Sequence, residues 1–170
     1  MTIPEGLKSV FPEADKIITV QKNIDDDQRE RVKKKLGGKF SDWRAAPGSD
    51  SGTQQQQYTF YIAFKEERKI AVAFVEVQPG RWGPMEIMIV LWNDGSVKNA
   101  IVLSHNDTKA RPVCRKSFLN QFKDKTTADP ITIDKDIYAV TGATVSSSAV
   151  AFAVKKAIVL YQEFFLNGAS

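Results

Sequence analysis

Between residues 58 and 103 the chain is a succession of β-type segments separated only by short breaks. No other feature limits its possible folds as strongly. Tyr58 to Phe64 alternates, with Tyr58, Phe60, Ile62 and Phe64 on one face. Ile70 to Gln78 follows the charged turn at 65–69, and Glu86 to Trp92 is almost continuously apolar. Asn93-Asp94-Gly95 is a strong tight-turn signal, after which Val97 to Leu103 returns as a partner strand. Parallel neighbours need a crossover of about a dozen residues or more, whereas antiparallel neighbours need only a hairpin. These four strands are therefore expected to form an antiparallel sheet. Pro79-Gly80-Arg81-Trp82-Gly83-Pro84 reads as a break in the pattern.

Helical signals stand before and after this block. Leu7, Val10 and Phe11 recur at helical spacing behind Pro4, and Pro12 ends that helix. Ile17 to Val20 reads as a short strand. A second helix is expected from about Asp25 to Leu36, capped by Asn23. Its first turn is acidic, its last turn holds Lys33, Lys34 and Lys35, and Gly37-Gly38 follow, in accord with the helix dipole. Phe40 to Gln57 reads as loop. A short helix is expected over 115–122, with Phe118, Leu119 and Phe122 as its apolar face, and a short strand over 131–133.

The last long helix begins after Gly142. Val150, Val154, Ala157, Ile158, Tyr161 and Phe165 form its apolar stripe, Lys155, Lys156, Gln162 and Glu163 its other side, and Asn167-Gly168 its stop. A strand block flanked by helices gives the class: α+β, a single domain with an antiparallel sheet, flanking helices and a long C-terminal helix. Residues 1–57 are expected to be a helical and loop region packed on a domain formed by 58–170.

Composition removes several functions. One cysteine, Cys114, and one histidine, His105, exclude an intrachain disulfide and the common zinc sites, which need three or four Cys or His ligands. No local signature makes that pair a protease dyad. The net charge of +4 permits an anionic ligand without demanding nucleic acid. The basic run from Arg29 to Lys39 has no interleaved aromatic residues and reads as a solvated helix end. No apolar run reaches the ~20 residues that span a bilayer, and the charged first twenty residues are not expected to be a signal peptide.

Three stretches could carry chemistry. Thr141-Gly142-Ala143-Thr144-Val145-Ser146-Ser147-Ser148 crowds small and hydroxylated residues at the start of a long helix. The first amides of a helix lack intrahelical partners and carry partial positive charge, so this stretch suits phosphate or another anion. Ordinary N-capping would need only one of those hydroxyls. Ser104-His105-Asn106-Asp107-Thr108 gathers an imidazole, an amide, a carboxylate and a hydroxyl at a strand end, as a functional loop or an ordinary polar one. Gly80-Arg81-Trp82-Gly83-Pro84 permits close approach and offers Trp82 for stacking on a flat ring, or is a plain turn with an anchoring tryptophan.

The ordered set Gly83-Pro84-Met85-Glu86-Ile87, Asn93-Asp94-Gly95-Ser96-Val97, His105-Asn106-Asp107-Thr108 and Thr141-Gly142-Ala143-Thr144-Val145-Ser146-Ser147 resembles the FMN-binding domain family. That family includes flavin-carrying subunits of the sodium-pumping quinone reductase and of the related ferredoxin-oxidising membrane complex. It also includes the extracytoplasmic domain of the nitrous-oxide-reduction regulator type, to which the stretch from Ser117 to Lys123 is more similar. The resemblance covers about residues 58–166.

It implies FMN as cofactor and electron transfer as function, with a redox partner protein, a membrane complex and an extracytoplasmic location. It also implies that Thr144 is esterified to the FMN phosphate by a flavin transferase using FAD, with Thr141, Gly142 and Ala143 shaping the turn and Val145, Ser146 and Ser147 following. The flavin ring would lie against His105, Asn106, Asp107 and Thr108, with Trp82 and Gly83 nearby. Hydrogen-bond donors there would raise its potential. Arg111 is a further candidate for the phosphate or the pyrimidine edge. Two positions depart from the family pattern. Tyr138 stands where an acidic residue usually precedes the Thr-Gly-Ala-Thr element, with Asp136 two residues earlier, and Lys109-Ala110-Arg111-Pro112 replaces a Gly-rich turn. The alternatives are non-covalent FMN binding, a flavin-less regulatory domain of the same fold, or a small flavin reductase.

Overall fold

A computed structural model describes residues 1–40 and 56–167. The elements run α1 (Ile3–Val10), β1 (Lys16–Asn23), α2 (Asp26–Lys35), β2 (Gln57–Lys65), β3 (Arg68–Gly80), β4 (Gly83–Leu91), β5 (Val97–Ser104), a 3-10 segment (Thr108–Cys114), α3 (Lys116–Leu119), a 3-10 turn (Asn120–Phe122), α4 (Thr144–Tyr161) and a π-helical turn (Gln162–Leu166). The expected α+β class holds. The sheet has five strands in the order β1-β2-β3-β4-β5, with every neighbour antiparallel. The short strand expected at Ile17–Val20 is longer, and it forms the edge of this same sheet.

Alternation sorts the side chains onto two faces. Tyr58, Phe60, Ile62, Val72, Phe74, Ile87, Ile89 and Leu91 pack with α4, α2 and the segment 113–137. Ala63, Ala71, Ala73, Met88 and Val90 face Leu7 and Val10 of α1 and Phe11 just after it. The small residues on this second face let α1 lie close. A side chain at Gly6 would come within 2.8 Å of Leu103 Cδ2. Phe60 meets Phe74 at 5.1 Å and Phe165 edge-on at 5.1 Å, so aromatic area makes up much of the larger core.

Caps explain the early helices. Thr2 and Glu5 form a reciprocal capping box at α1, and Asp25 and Gln28 form another at α2. The expected Asn23 cap is thus corrected to Asp25, which has the acceptor side chain at the turn itself; Asn23 ends β1. Gly37 and Gly38 take φ of +75° and +90°, the conformations expected after that helix.

The break read at Pro79–Pro84 is instead a tight hairpin. Pro79 pairs with Pro84 and Gly80 with Gly83, which leaves Arg81 and Trp82 at the tip. At the next hairpin, Asp94 Oδ1 accepts from the Ser96 amide and hydroxyl, and Gly95 has φ +91°. Over 131–133 only an isolated bridge, Ile133 with Ile137, replaces the expected strand. The expected short helix is divided between α3 and a 3-10 turn, with Phe118, Leu119 and Phe122 buried as expected. Most of the expected loop from Phe40 to Gln57, and Gly168, lie outside the described residues.

α4 and the π-helical turn after it are not two-sided as their spacing suggests. Lys156 and Glu163 are buried, at 1% and 4% exposure. Lys156 Nζ lies 2.8 Å from Glu76 Oε2 and donates to the Phe40 carbonyl at 3.0 Å. Glu163 Oε1 accepts two bonds from Arg31, at 2.6 and 3.0 Å. Each charge is tolerated inside because a partner from another element meets it. Among the described residues no helix is long and apolar enough to cross a membrane.

Candidate functional site

The start of α4 is the focus. Gly142 adopts φ +81°, which turns the chain into the helix, and Ala143 is its N-cap residue. No side chain caps this end. The hydroxyls beside it are therefore not needed for ordinary capping. The first intrahelical bond runs from the Ser147 amide to the Ala143 carbonyl at 2.9 Å. The amides of Thr144, Val145 and Ser146 precede it, so they have no carbonyl partner within the helix. Thr144 is exposed at the first helical position.

Ser146 and Ser147 are both buried, whereas Thr144 is exposed. The Ser147 hydroxyl donates to Ala143 O at 2.7 Å and accepts from Val140 N at 3.0 Å. It therefore shapes the turn and does not face outward.

A cleft of about 180 Å³ opens at this point, lined by Gly142, Ala143, Thr144, Val145, Ser146, Asp107 and Arg81. Three parts of the chain meet there: the α4 start, the loop after β5 and the tip of the β3–β4 hairpin. Gly83 ties the last two together. Its φ is +137°, and a Cβ there would fall 2.8 Å from Asn106 Nδ2. Asp107 caps the 3-10 segment, accepting from the Lys109 amide at 2.9 Å. His105 is partly buried, and its Nδ1 has no hydrogen-bond partner among the described residues. A buried polar atom left in this way suits a ligand group.

The structure thus gathers Gly142, Ala143, Thr144, Val145, Ser146 and Asp107 around one cleft. Asn106 and Gly83 touch at its edge, and His105 precedes them. Thr141 is exposed beside Gly142, and Thr108 opens the 3-10 segment. Trp82 is 63% exposed at the hairpin tip, and Arg111 is exposed within the 3-10 segment; neither lines the cleft. Arg81 does line it and was not singled out from the sequence, where its only signal was a position between two glycines.

The chain leading to α4 is held by Gln121. Its side-chain amide donates to Tyr138 O at 3.0 Å and accepts from Tyr138 N at 2.8 Å, as a neighbouring strand would. Tyr138 itself points outward, 82% exposed. Asp136 turns inward, accepting from the Ile131 and Thr132 amides and lying 3.2 Å from Lys125 Nζ.

Known proteins resemble this chain in sequence and in fold. A model of the FMN-binding domain family matches residues 80–159. The G subunit of the proton-translocating ferredoxin:NAD(+) oxidoreductase complex of Clostridium ljungdahlii is 36% identical over 107 residues, which are 58% of this chain. The match spans 57% of that curated relative's length. NqrC of Shewanella oneidensis has a similar fold, with a TM-score of 0.58 at 17% identity over 93% of this chain and 85% of that one. The C subunit of the Na(+)-translocating NADH-quinone reductase of Parabacteroides distasonis gives 0.57 at 16% identity, over 98% and 85%. The matched segment contains the hairpin tip, the loop after β5 and the start of α4. The match to the FMN-binding domain family thus covers 80 of the chain's 170 residues, and within them this chain is similar to a domain that binds FMN.

Proposed function

We propose that this chain is the FMN-carrying electron-transfer subunit of a membrane redox complex, with the FMN phosphate held at the start of α4 and esterified to Thr144. The supporting observation is the uncapped α4 N-terminus, which opens with an exposed threonine into a cleft that also holds an arginine. Three amides without helical partners and the positive end of the helix dipole suit a phosphate. The Asp107 carboxylate would repel a phosphate in direct contact, but it suits hydroxyl donors such as those of the ribityl chain. When bound, the flavin supplies the one- and two-electron chemistry.

Formation of the ester is balanced as a phosphoryl transfer. The Thr144 oxygen bonds to the FMN-side phosphorus of FAD, the pyrophosphate bond breaks, AMP leaves and the hydroxyl proton passes to solvent. A flavin transferase would catalyse it. The named relatives are components of ion-translocating reductases, which supports a redox partner within a membrane complex. The extracytoplasmic position is proposed on the family resemblance alone.

Mass spectrometry of protein produced with and without a flavin transferase tests the reading. The expected result is one FMN, less one water, on the peptide carrying Thr144, and no such gain in Thr144→Ala. One observation favours a second reading, non-covalent FMN. Among the described residues Tyr138 stands outside with no acidic partner, while Asp136 is engaged by two amides and Lys125. A yellow protein that releases all its flavin on denaturation would establish that form. A chain that takes up no FMN in either preparation would refute both.

A further inference from the structure

We propose that Arg81 makes this site selective for phosphorylated flavin over riboflavin. The assignment rests on the FMN reading above and names the residue that recognises the phosphate. Arg81 contributes the one cationic side chain among the residues that line the cleft at the α4 start. Among the described residues, no carboxylate lies within ion-pair distance of its guanidinium, although Asp107 lines the same cleft. Asp107 is instead engaged with the Lys109 amide. Arg81 thus forms no ion pair, in a cleft that the first residues of α4 also line.

Its position follows from the backbone. Gly80 and Gly83 close the hairpin by pairing with each other, and Gly83 packs on Asn106 too tightly for a side chain. That contact sets the tip against the loop carrying Asp107. The guanidinium lies 5.4 Å from the Trp82 ring centroid, a cation–π distance that favours a restricted set of rotamers. A guanidinium presents two parallel N–H donors to phosphate oxygens, a match that neither the helix amides nor a lysine reproduces. Riboflavin carries a neutral hydroxyl in place of the phosphate and would gain little from Arg81.

The test uses the full chain produced without a flavin transferase, so that free flavin exchanges. FMN and riboflavin are titrated separately by quenching of flavin fluorescence, with wild type, Arg81→Gln and Arg81→Lys. The expected result is a loss of about tenfold or more in FMN affinity for Arg81→Gln, with riboflavin affinity changed less than about twofold. Arg81→Lys should fall between, since it keeps the charge and loses the fork. The wild-type ratio of FMN to riboflavin affinity should also fall as salt rises from about 0.01 M to about 1 M, where the screening length drops from ~30 Å to ~3 Å. This second measurement does not depend on how well any variant folds. Equal loss for both flavins, an unchanged ratio in Arg81→Gln, or a salt-independent wild-type ratio would overturn the assignment while leaving FMN binding standing. A wild-type chain that binds neither flavin removes the FMN reading and this assignment with it.

Discussion

Replacing Lys156 with methionine isolates what the buried ion pair contributes to holding α4 on the sheet. The ammonium and the Glu76 carboxylate are 2.8 Å apart, with side-chain exposures of 1% and 8%. Lys156 also donates to Phe40 O at 3.0 Å and lies over the Phe40 and Tyr58 rings at 5.7 and 5.8 Å. Lys156→Met keeps most of the volume and removes the charge, leaving a carboxylate buried without its cation. Breaking one side of such a pair typically costs about 3–5 kcal/mol. With a urea dependence near 2 kcal/mol per M, the unfolding midpoint should fall by roughly 1.5–2.5 M.

The pH dependence carries a definite sign. Burial pushes the Glu76 carboxyl up from its ordinary value of 4.5, against the pull of Lys156. Deleting Lys156 removes that pull and raises the carboxyl further. The native carboxyl then keeps a proton that the unfolded chain has released, so the variant loses stability as pH rises from the ordinary value through the raised one. The penalty should be smaller near about pH 5 than near about pH 8. The paired replacement Glu76→Leu with Lys156→Met should recover most of the loss, because apolar substitution of both partners is often neutral. A single variant within about 1 kcal/mol of wild type at both pH values, or a double variant worse than either single one, would refute this reasoning.

Other outcomes follow from the same geometry. Asp25→Ala removes the α2 capping box and should lower stability by about 1 kcal/mol in thermal or urea unfolding. Ser147→Ala removes both bonds that shape the turn before α4; about 1–3 kcal/mol should be lost, with weaker FMN binding, read by unfolding and fluorescence titration. Gly83→Ala should displace the hairpin tip, since its Cβ would meet Asn106 at a φ of +137°, and reduce FMN affinity in the same titration. Burial raises the Asp136 carboxyl, but bonds from Thr132 and Ile131 and its contact with Lys125 outweigh that and lower it overall from its ordinary value of 3.8. Its stabilising effect is therefore present above that value and lost as pH falls through the lowered one. Asp136→Asn should flatten that acid limb of the stability curve.

The sheet was readable from the chain because turn lengths dictate antiparallel pairing, and Tyr58, Phe60 and Ile62 do share the buried face expected of them. The early helices announced themselves through their caps, although Asp25 rather than Asn23 holds the second. Lys156 and Glu163 went astray for one physical reason. Local periodicity places charged residues outward, and only Glu76 and Arg31, supplied by distant parts of the chain, make their burial tolerable. Arg81 escaped notice as a cleft-lining residue similarly. Its closeness to α4 exists only once the hairpin tip meets the loop after β5. The α4 start was legible because a crowd of hydroxyls at a helix start exceeds what capping requires.

A crystal structure of the chain with FMN tests the central claim most directly. The account predicts phosphate oxygens about 2.7–3.2 Å from amides at the start of α4, beside the Thr144 hydroxyl oxygen or bonded through it. Flavin density whose phosphate lies away from that helix start, or no flavin density in crystals of protein saturated with FMN, would contradict it.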